Sequence, residues 1–186
     1  NLLDVTRLGS GHVRPKLDWC DVGDLIHVTL RSLERELARR EIKIEIAEKL
    51  PLARLDYTLM QQALGNLLLN ASIHTPEGTA ILIHARHEND ELIISVADNG
   101  PGLPPDLLLR IFEKFFRSPS APAGGSGWGL AIVKGFVDAH GGQIAAANRP
   151  GGGAIFTIKI PQPEKPPEEN QCEPKSNKTT NRGAGD

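Results

Sequence analysis

The chain has 186 residues, 39% hydrophobic, 24% charged and 4% aromatic, with 21 basic and 23 acidic side chains. That length holds one ordinary domain with a real core, or one domain plus appendages, and a net charge of −2 gives no global electrostatic case for nucleic acid or a membrane surface. Two cysteines, Cys20 and Cys172, make neither a disulfide scaffold nor a metal-ligand spacing, and no apolar run approaches the roughly 18 residues of a spanning helix.

The chain opens on Asn-Leu-Leu-Asp without a Met and reads as a fragment of something longer. Leu2, Leu3, Val5 and Leu8 fall at helical spacing before Gly9 and Gly11, either a frayed terminal helix or the stub of a longer one. A short extended linker follows through Pro15 to Asp18. Residues 21–40 are expected to form one amphipathic helix, with Leu25, Val28, Thr29, Leu33 and Leu37 on one side. Ile42, Ile44 and Ile46 alternate with Lys43 and Glu45, a strand pattern. Asp56 then caps a helix whose apolar face is Met60, Ala63, Leu64, Leu67, Leu68 and Ala71.

Two strands are expected near residues 80–87 and 91–98, joined by the turn pair Asn89-Asp90. A Gly/Pro-rich stretch with a short helix comes next, then a helix from Gly129 to His140. Strands at residues 142–148 and 154–160 flank the turn Pro150-Gly151-Gly152-Gly153. From Pro161 onward the only apolar side chains are Cys172 and Ala184, too few to offset the entropy of ordering, so residues 162–186 are expected to be a disordered tail. Hairpin strands with helices on one side argue an α/β two-layer sandwich rather than a doubly wound parallel sheet.

Four features carry possible chemistry, and each has a plain alternative. Gln62, Asn66, Asn70 and His74 form a row beside the apolar stripe of their helix. Amide oxygens can ligate a hard cation such as Mg2+ that shares substrate phosphates, but the row also reads as a solvated edge. In Asp98-Asn99-Gly100-Pro101-Gly102, a carboxylate ends the strand row Leu92, Ile94, Val96. A purine amino group would satisfy it and glycines would let backbone approach a flat ring; an ordinary turn with an exposed Asp is equally open. Gly124-Gly125-Ser126-Gly127-Trp128-Gly129-Leu130 leads into a helix and suits phosphate, or is a flexible linker. Phe112, Phe115 and Phe116 precede Arg117 and a small-residue loop, the composition of a mobile lid or simply of packed aromatics.

Taken in order, Asn66–Asn70, Asp98-x-Gly100-x-Gly102, Phe112–Phe116 and Gly125-x-Gly127-x-Gly129-Leu130 resemble the N, G1, F and G2 boxes of sensor histidine kinases. The resemblance covers roughly residues 20–161, and Asn1–Gly11 resembles the end of the second helix of that family's dimerization and phosphoacceptor domain. Asp-Asn-Gly-Pro-Gly-Leu-Pro-Pro and Asn-Arg-Pro-x-Gly-Gly-Ala further resemble the Kdp-type potassium sensor kinases. The resemblance implies the GHKL, or Bergerat, fold: a mixed, mostly antiparallel sheet layered on helices. It divides the chain into a phosphoacceptor helix end and linker (1–18), a catalytic ATP-binding domain (19–161) and the tail (162–186).

By the same resemblance the domain binds ATP and Mg2+. Asn70 would ligate Mg2+ with Asn66 nearby, and His74 would lie near the nucleotide. Asp98 would accept the adenine amino hydrogen, and Gly100 and Gly102 would shape the adenine end. Phe112 belongs to the box beside the lid. Gly125, Gly127, Gly129 and Leu130 would wrap the phosphates, and Arg117 would approach the γ-phosphate, making Asn70 and Arg117 the catalytic pair. The implied activity is transfer of the γ-phosphoryl to a histidine on the phosphoacceptor domain of the same protein, for relay to a response regulator. The resemblance further implies a homodimeric parent anchored in the bacterial inner membrane with this domain in the cytoplasm, and no nucleic-acid partner.

Three departures matter. Ile73 stands where the family commonly has Lys or Arg, which weakens phosphate contacts unless Lys114 or Arg117 compensates, and supports a rival reading as a degenerate nucleotide module acting by contacts. Trp128 replaces a Leu of the G2 box. Leu69 stands where GHKL ATPases carry a water-activating Glu, which disfavours the second rival, an ATPase. None of the six histidines sits in a phosphoacceptor context, so the acceptor is expected upstream of Asn1.

Overall fold

The computed structural model describes residues 14–108, 110–113 and 127–166. Two layers form, a sheet and a set of helices. The elements in chain order are β1 (Asp18–Cys20), α1 (Val22–Ser32), the single turn α2 (Glu34–Leu37), β2 (Glu41–Ile46), β3 (Ala53–Leu55), α3 (Tyr57–His74), β4 (Ala80–Glu88), β5 (Glu91–Asp98), α4 (Gly129–Ala139), β6 (Gln143–Asn148) and β7 (Ala154–Pro161).

Five strands make the main sheet in the order β2-β4-β5-β7-β6, with β2 parallel to β4 and every other pair antiparallel. The β4–β5 hairpin closes through Asn89 and Asp90 at φ 52° and 59°, the left-handed pair that a type I′ turn demands. One face of the sheet is the core. Ile81, Ile83, Ile94, Val96, Phe156 and Ile158 are buried there; Ile83, Val96 and Phe156 lie opposite one another in register, as do Ala85, Ile94 and Ile158. Val22, Leu25 and Ile26 of α1, the apolar face of α3, and Val133, Phe136 and Val137 of α4 close over them.

α3 is the middle helix of that layer, packed on both α1 and α4. Its N-cap Asp56 accepts from Leu59 N at 3.1 Å, and its expected apolar row is buried in full. The same Asp56 presents its own backbone N–H to His140 Nε2 at 2.9 Å, while His140 Nδ1 sits 2.7 Å from Phe136 O. An imidazole that accepts at Nε2 carries its proton at Nδ1, so a neutral His140 ties the end of α4 to the start of α3.

The expected helix over residues 21–40 is broken at Leu33. Ser32 Oγ donates to Thr29 O at 2.7 Å, the carbonyl that the next helical N–H would use, and Leu33 N turns to Leu30 O instead. Residues 18–20 are not a bare linker: they pair antiparallel with residues 53–55 as a second, two-stranded sheet. Cys20 is buried there, and burial, reinforced by Asp18, pushes its thiol up, so it packs as a small protonated hydrophobe. The short helix expected after residue 102 is represented by turn bonds, Leu107 N to Pro104 O and Arg110 N to Leu107 O, with one helical bond from Ile111 N to Leu107 O.

β5 is buried on both faces rather than one. Ser95 and Ala97 face away from the helices but are short, and the longer Leu82, His84, Ile155 and Thr157 beside them in register shield them. The packed chain runs to Gln162, whose N–H donates to Asp90 O at 2.7 Å and whose Oε1 accepts from Arg54 N at 2.7 Å. The remaining tail, residues 167–186, and the stub at 1–13 lie outside the described residues. No described helix is long and apolar enough to cross a membrane.

Phe136 carries the α4 contact with the core at 1% exposure. Phe136→Ala is expected to cost about 3–5 kcal/mol in urea denaturation, the range for emptying a buried aromatic site.

Candidate functional site

Asp98 ends β5, the central strand, and is 5% exposed although it is a carboxylate. Such a group needs donors or the burial is prohibitive. It has two, and both fall on Oδ1: Gly100 N at 2.9 Å and Ala154 N at 3.3 Å. Oδ2 takes no hydrogen bond among the described residues. Asp98 lines a cleft of about 280 Å3, counting its open mouth, together with Asn70, His74, Thr75, Gly102 and Leu103, with Phe156 behind it.

The cleft lies between the C-terminal half of α3 and the loop after β5. Asn70 sits on the turn of α3 that follows the buried Leu67 and Leu68, half-buried beside the apolar face, and His74 is the last, exposed residue of the helix. Asn66 lies one turn earlier on the same helix and is half-buried, but it is not part of the cleft wall. Gly100 touches the cleft through Thr75: a Cβ there would stand 2.8 Å from the Thr75 methyl and 3.0 Å from Asp98 Oδ1. Gly102 has φ +77°, and a Cβ would meet Asn148 Oδ1 at 2.8 Å. Phe112 is half-buried and stacks edge-to-face on Phe156 with ring centroids 6.4 Å apart, so the F-box aromatic reaches the cleft from behind its wall.

The glycine-rich end is described only in part. Gly127 (φ +69°) and Trp128 lead into α4, whose first residues are Gly129 and Leu130. Among the described residues, a Cβ on Gly129 would meet nothing within 4 Å. Leu130 is half-buried and packs against the core. Arg117 and Gly125, with Lys114, Phe115 and Phe116, lie outside the described residues.

The hairpin between β6 and β7 contributes residues that sequence reasoning did not single out. Asn148 accepts from Leu103 N and donates to Leu103 O, both at 2.7 Å, so one side-chain amide holds the loop after Asp98 as a strand would. Arg149 donates to Asp98 O at 2.9 Å. Gly153 passes so close that a Cβ would stand 1.9 Å from that same carbonyl oxygen. Asn99 Oδ1 accepts from Ala80 N at 2.8 Å, extending the β4–β5 pairing past the end of the ladder. The signal for these was the Asn-Arg-Pro-x-Gly-Gly-Ala string itself, which reads as turn chemistry until the tertiary approach is known.

Residues 55–164 match the family of histidine kinase-, DNA gyrase B- and HSP90-like ATPases. The chain belongs to that family. Its family segment begins at the last residue of β3 and contains the whole cleft just described. The chain is 41% identical over 167 residues to the sensor protein KdpD of Escherichia coli K12, covering 89% of this chain and 19% of that protein. It superposes on full-length ShkA in complex with AMPPNP with a TM-score of 0.75 at 30% identity, over 86% of this chain and 34% of that one. On the histidine kinase ThkA, in complex with the response regulator TrrA, the TM-score is 0.71 at 25% identity, over 87% and 47%. The chain spans about a fifth of the length of the KdpD relatives that it matches. Within the family it is the catalytic ATP-binding domain of a sensor histidine kinase.

Gly153 and Gly151 separate two costs. Both have positive φ, 92° and 88°, but only Gly153 has backbone in the way of a side chain. Gly151→Ala is expected to lose about 1–2 kcal/mol from conformation alone, and Gly153→Ala about 3 kcal/mol or more, because the hairpin must also leave Asp98. Chemical denaturation of the two variants side by side checks the difference.

Proposed function

We propose that the cleft binds the adenine of ATP through Asp98, and that the domain passes the γ-phosphoryl to a histidine on the phosphoacceptor domain of the same protein. The observation that carries this is the half-satisfied carboxylate. An Oδ2 that takes no hydrogen bond among the described residues, on a largely buried carboxylate that lines the cleft, is the acceptor that an exocyclic amino group requires, and the glycines at 100 and 102 leave backbone rather than side chains beside it. Asn70 and His74 line the same cleft, on the side toward which the phosphates would extend.

Among the described residues no group of three or more His, Cys, Asp or Glu side chains could hold a metal. That suits Mg2+ taken up with the nucleotide, since this ion keeps several waters and shares phosphate oxygens; Asn70 would supply the protein ligand. When bound, Mg2+ neutralises charge developing on the phosphates. The chain's own work is then positional: α3 holds Asn70, β5 holds Asp98, and the N-terminus of α4 at Gly129 and Leu130 would turn backbone N–H groups toward an anion. Asn66 lies one turn before Asn70 on the same helix and would sit near the metal, and Phe112 backs the base pocket through Phe156. Arg117, Gly125 and Gly127 would complete the phosphate side. Leu69 supplies no carboxylate base, so transfer to an acceptor is favoured over hydrolysis.

The wider assignment is a proposal as well. Relay to a response regulator is supported by the ThkA–TrrA complex; potassium sensing by a membrane-anchored, homodimeric parent is proposed from the resemblance of the two strings at residues 98–105 and 148–154 to Kdp-type sensor kinases. Residues 1–18, 19–161 and 162–186 would then be helix end and linker, catalytic domain and tail. One observation favours the rival in which the module binds nucleotide poorly and acts by contacts: Ile73, one residue before His74, is 55% exposed and carries no charge to the phosphates.

Titration with a fluorescent ATP analogue separates the two readings. Saturable binding that strengthens with Mg2+ is expected, and Asn70→Ala should remove at least about tenfold of the Mg2+-dependent affinity. Absence of saturable binding would overturn the kinase reading. Asp98→Asn turns an acceptor into a donor at the amino group and should erase the preference for ATP over GTP.

A further inference from the structure

Helix α3 ends without a glycine cap. Its C-cap Thr75 is extended, at φ −121° and ψ 154°, and Pro76 follows, so the last carbonyls have no Schellman partner. They are taken instead by Arg40, which lies between α2 and β2 and is 35 residues away in sequence. Arg40 Nη2 donates to Ser72 O at 2.5 Å and to Thr75 O at 3.0 Å; Nη1 donates to Pro76 O and, at 3.2 Å, to the Thr75 hydroxyl.

Water would cap the carbonyls nearly as well, and a cation at a helix C-terminus is favourable in any case. What water would not do is fix the side chain of Thr75. A threonine at a helix end can occupy more than one staggered χ1 state. Here the hydroxyl donates to Ala71 O at 2.6 Å while accepting from Arg40, and the two bonds together select one state. In that state the methyl points at Gly100, so close that any Cβ on Gly100 would stand 2.8 Å from it. Gly100 N is in turn one of the two donors on Asp98 Oδ1. The neighbours run from the Arg40 guanidinium at the C-terminal end of α3, through the Thr75 methyl and Gly100, to Asp98 Oδ1.

We infer that Arg40 is a positioning residue for base recognition, acting through Thr75 and Gly100 on Asp98. This rests on the reading of Asp98 as the acceptor for the purine amino group. Arg40 itself does not line the cleft. A guanidinium is needed because its planar fork reaches carbonyl and hydroxyl together; a lysine offers one charged point.

The test measures competition against a fluorescent ATP analogue by ATP and by purine riboside triphosphate, which lacks only the 6-amino group. The wild-type chain is expected to prefer ATP by on the order of tenfold or more, the worth of one hydrogen bond to a charged acceptor. Arg40→Ala should lower ATP affinity while leaving the des-amino analogue unchanged, bringing the ratio toward one, and Arg40→Lys should fall between. A cap that serves only the stability of α3 would weaken both nucleotides alike, and an unchanged ratio would overturn the inference. Thr75→Ser keeps the hydroxyl and its bonds but removes the methyl against Gly100, so it probes the same link even if Arg40→Ala does not fold. Its ratio should also fall, and a wild-type ratio in this variant would overturn the inference independently. A wild-type chain that binds both nucleotides equally would instead remove the role of Asp98, and the inference with it.

Discussion

Asp98 combines the two properties hardest to reconcile in a small domain, a carboxylate and near-complete burial at the end of the central strand. Several loops are arranged around making that tolerable. Gly100 and Ala154 donate to one oxygen, Arg149 holds the Asp98 carbonyl, and Asn148 clamps the loop that follows. Gly153 has no side chain because the β6–β7 hairpin must reach the Asp98 backbone. The other carboxylate oxygen takes no hydrogen bond among the described residues, and the proposed adenine contact rests on it.

The second wall of that cleft depends on α3, and α3 is held at both ends by side chains from elsewhere in the chain. At its start, Asp56 caps the helix and receives His140 from the end of α4, which fixes the helix of the asparagines relative to the helix that begins at Gly129. At its finish, Arg40 takes the open carbonyls. A long helix with a single buried face and two tethered ends is a stiff support, and stiffness is what positioning Asn70 within hydrogen-bond tolerance of a ligand requires.

Much of this architecture is visible in the residues alone. α3 declares itself through helical spacing of its apolar residues over 18 residues and its cap, the β4–β5 hairpin through Asn89-Asp90, and β7 through strict alternation. The break after Ser32 was hidden because a hydroxyl that bonds back to a carbonyl looks, in sequence, like any polar residue on a helix. β1 and β3, at three residues each, are too short to show a period. The double burial of β5 depends on which neighbours flank Ser95 and Ala97, which is a property of register. Within the site, Asn70, His74, Asp98 and Gly102 line one cleft. Asn148, Arg149 and Gly153 act across 45 residues or more and Arg40 across 32 or more, so their sequence shows at most a turn and not the partner each one reaches.

The central claim concerns one oxygen atom. A crystal structure of the chain with Mg2+ and a non-hydrolysable ATP analogue tests it directly. The account predicts the adenine N6 about 3 Å from Asp98 Oδ2, a normal hydrogen-bond distance, with Gly100 N still on Oδ1. An adenine seated elsewhere, or an Oδ2 that meets only water while nucleotide is bound, would contradict it.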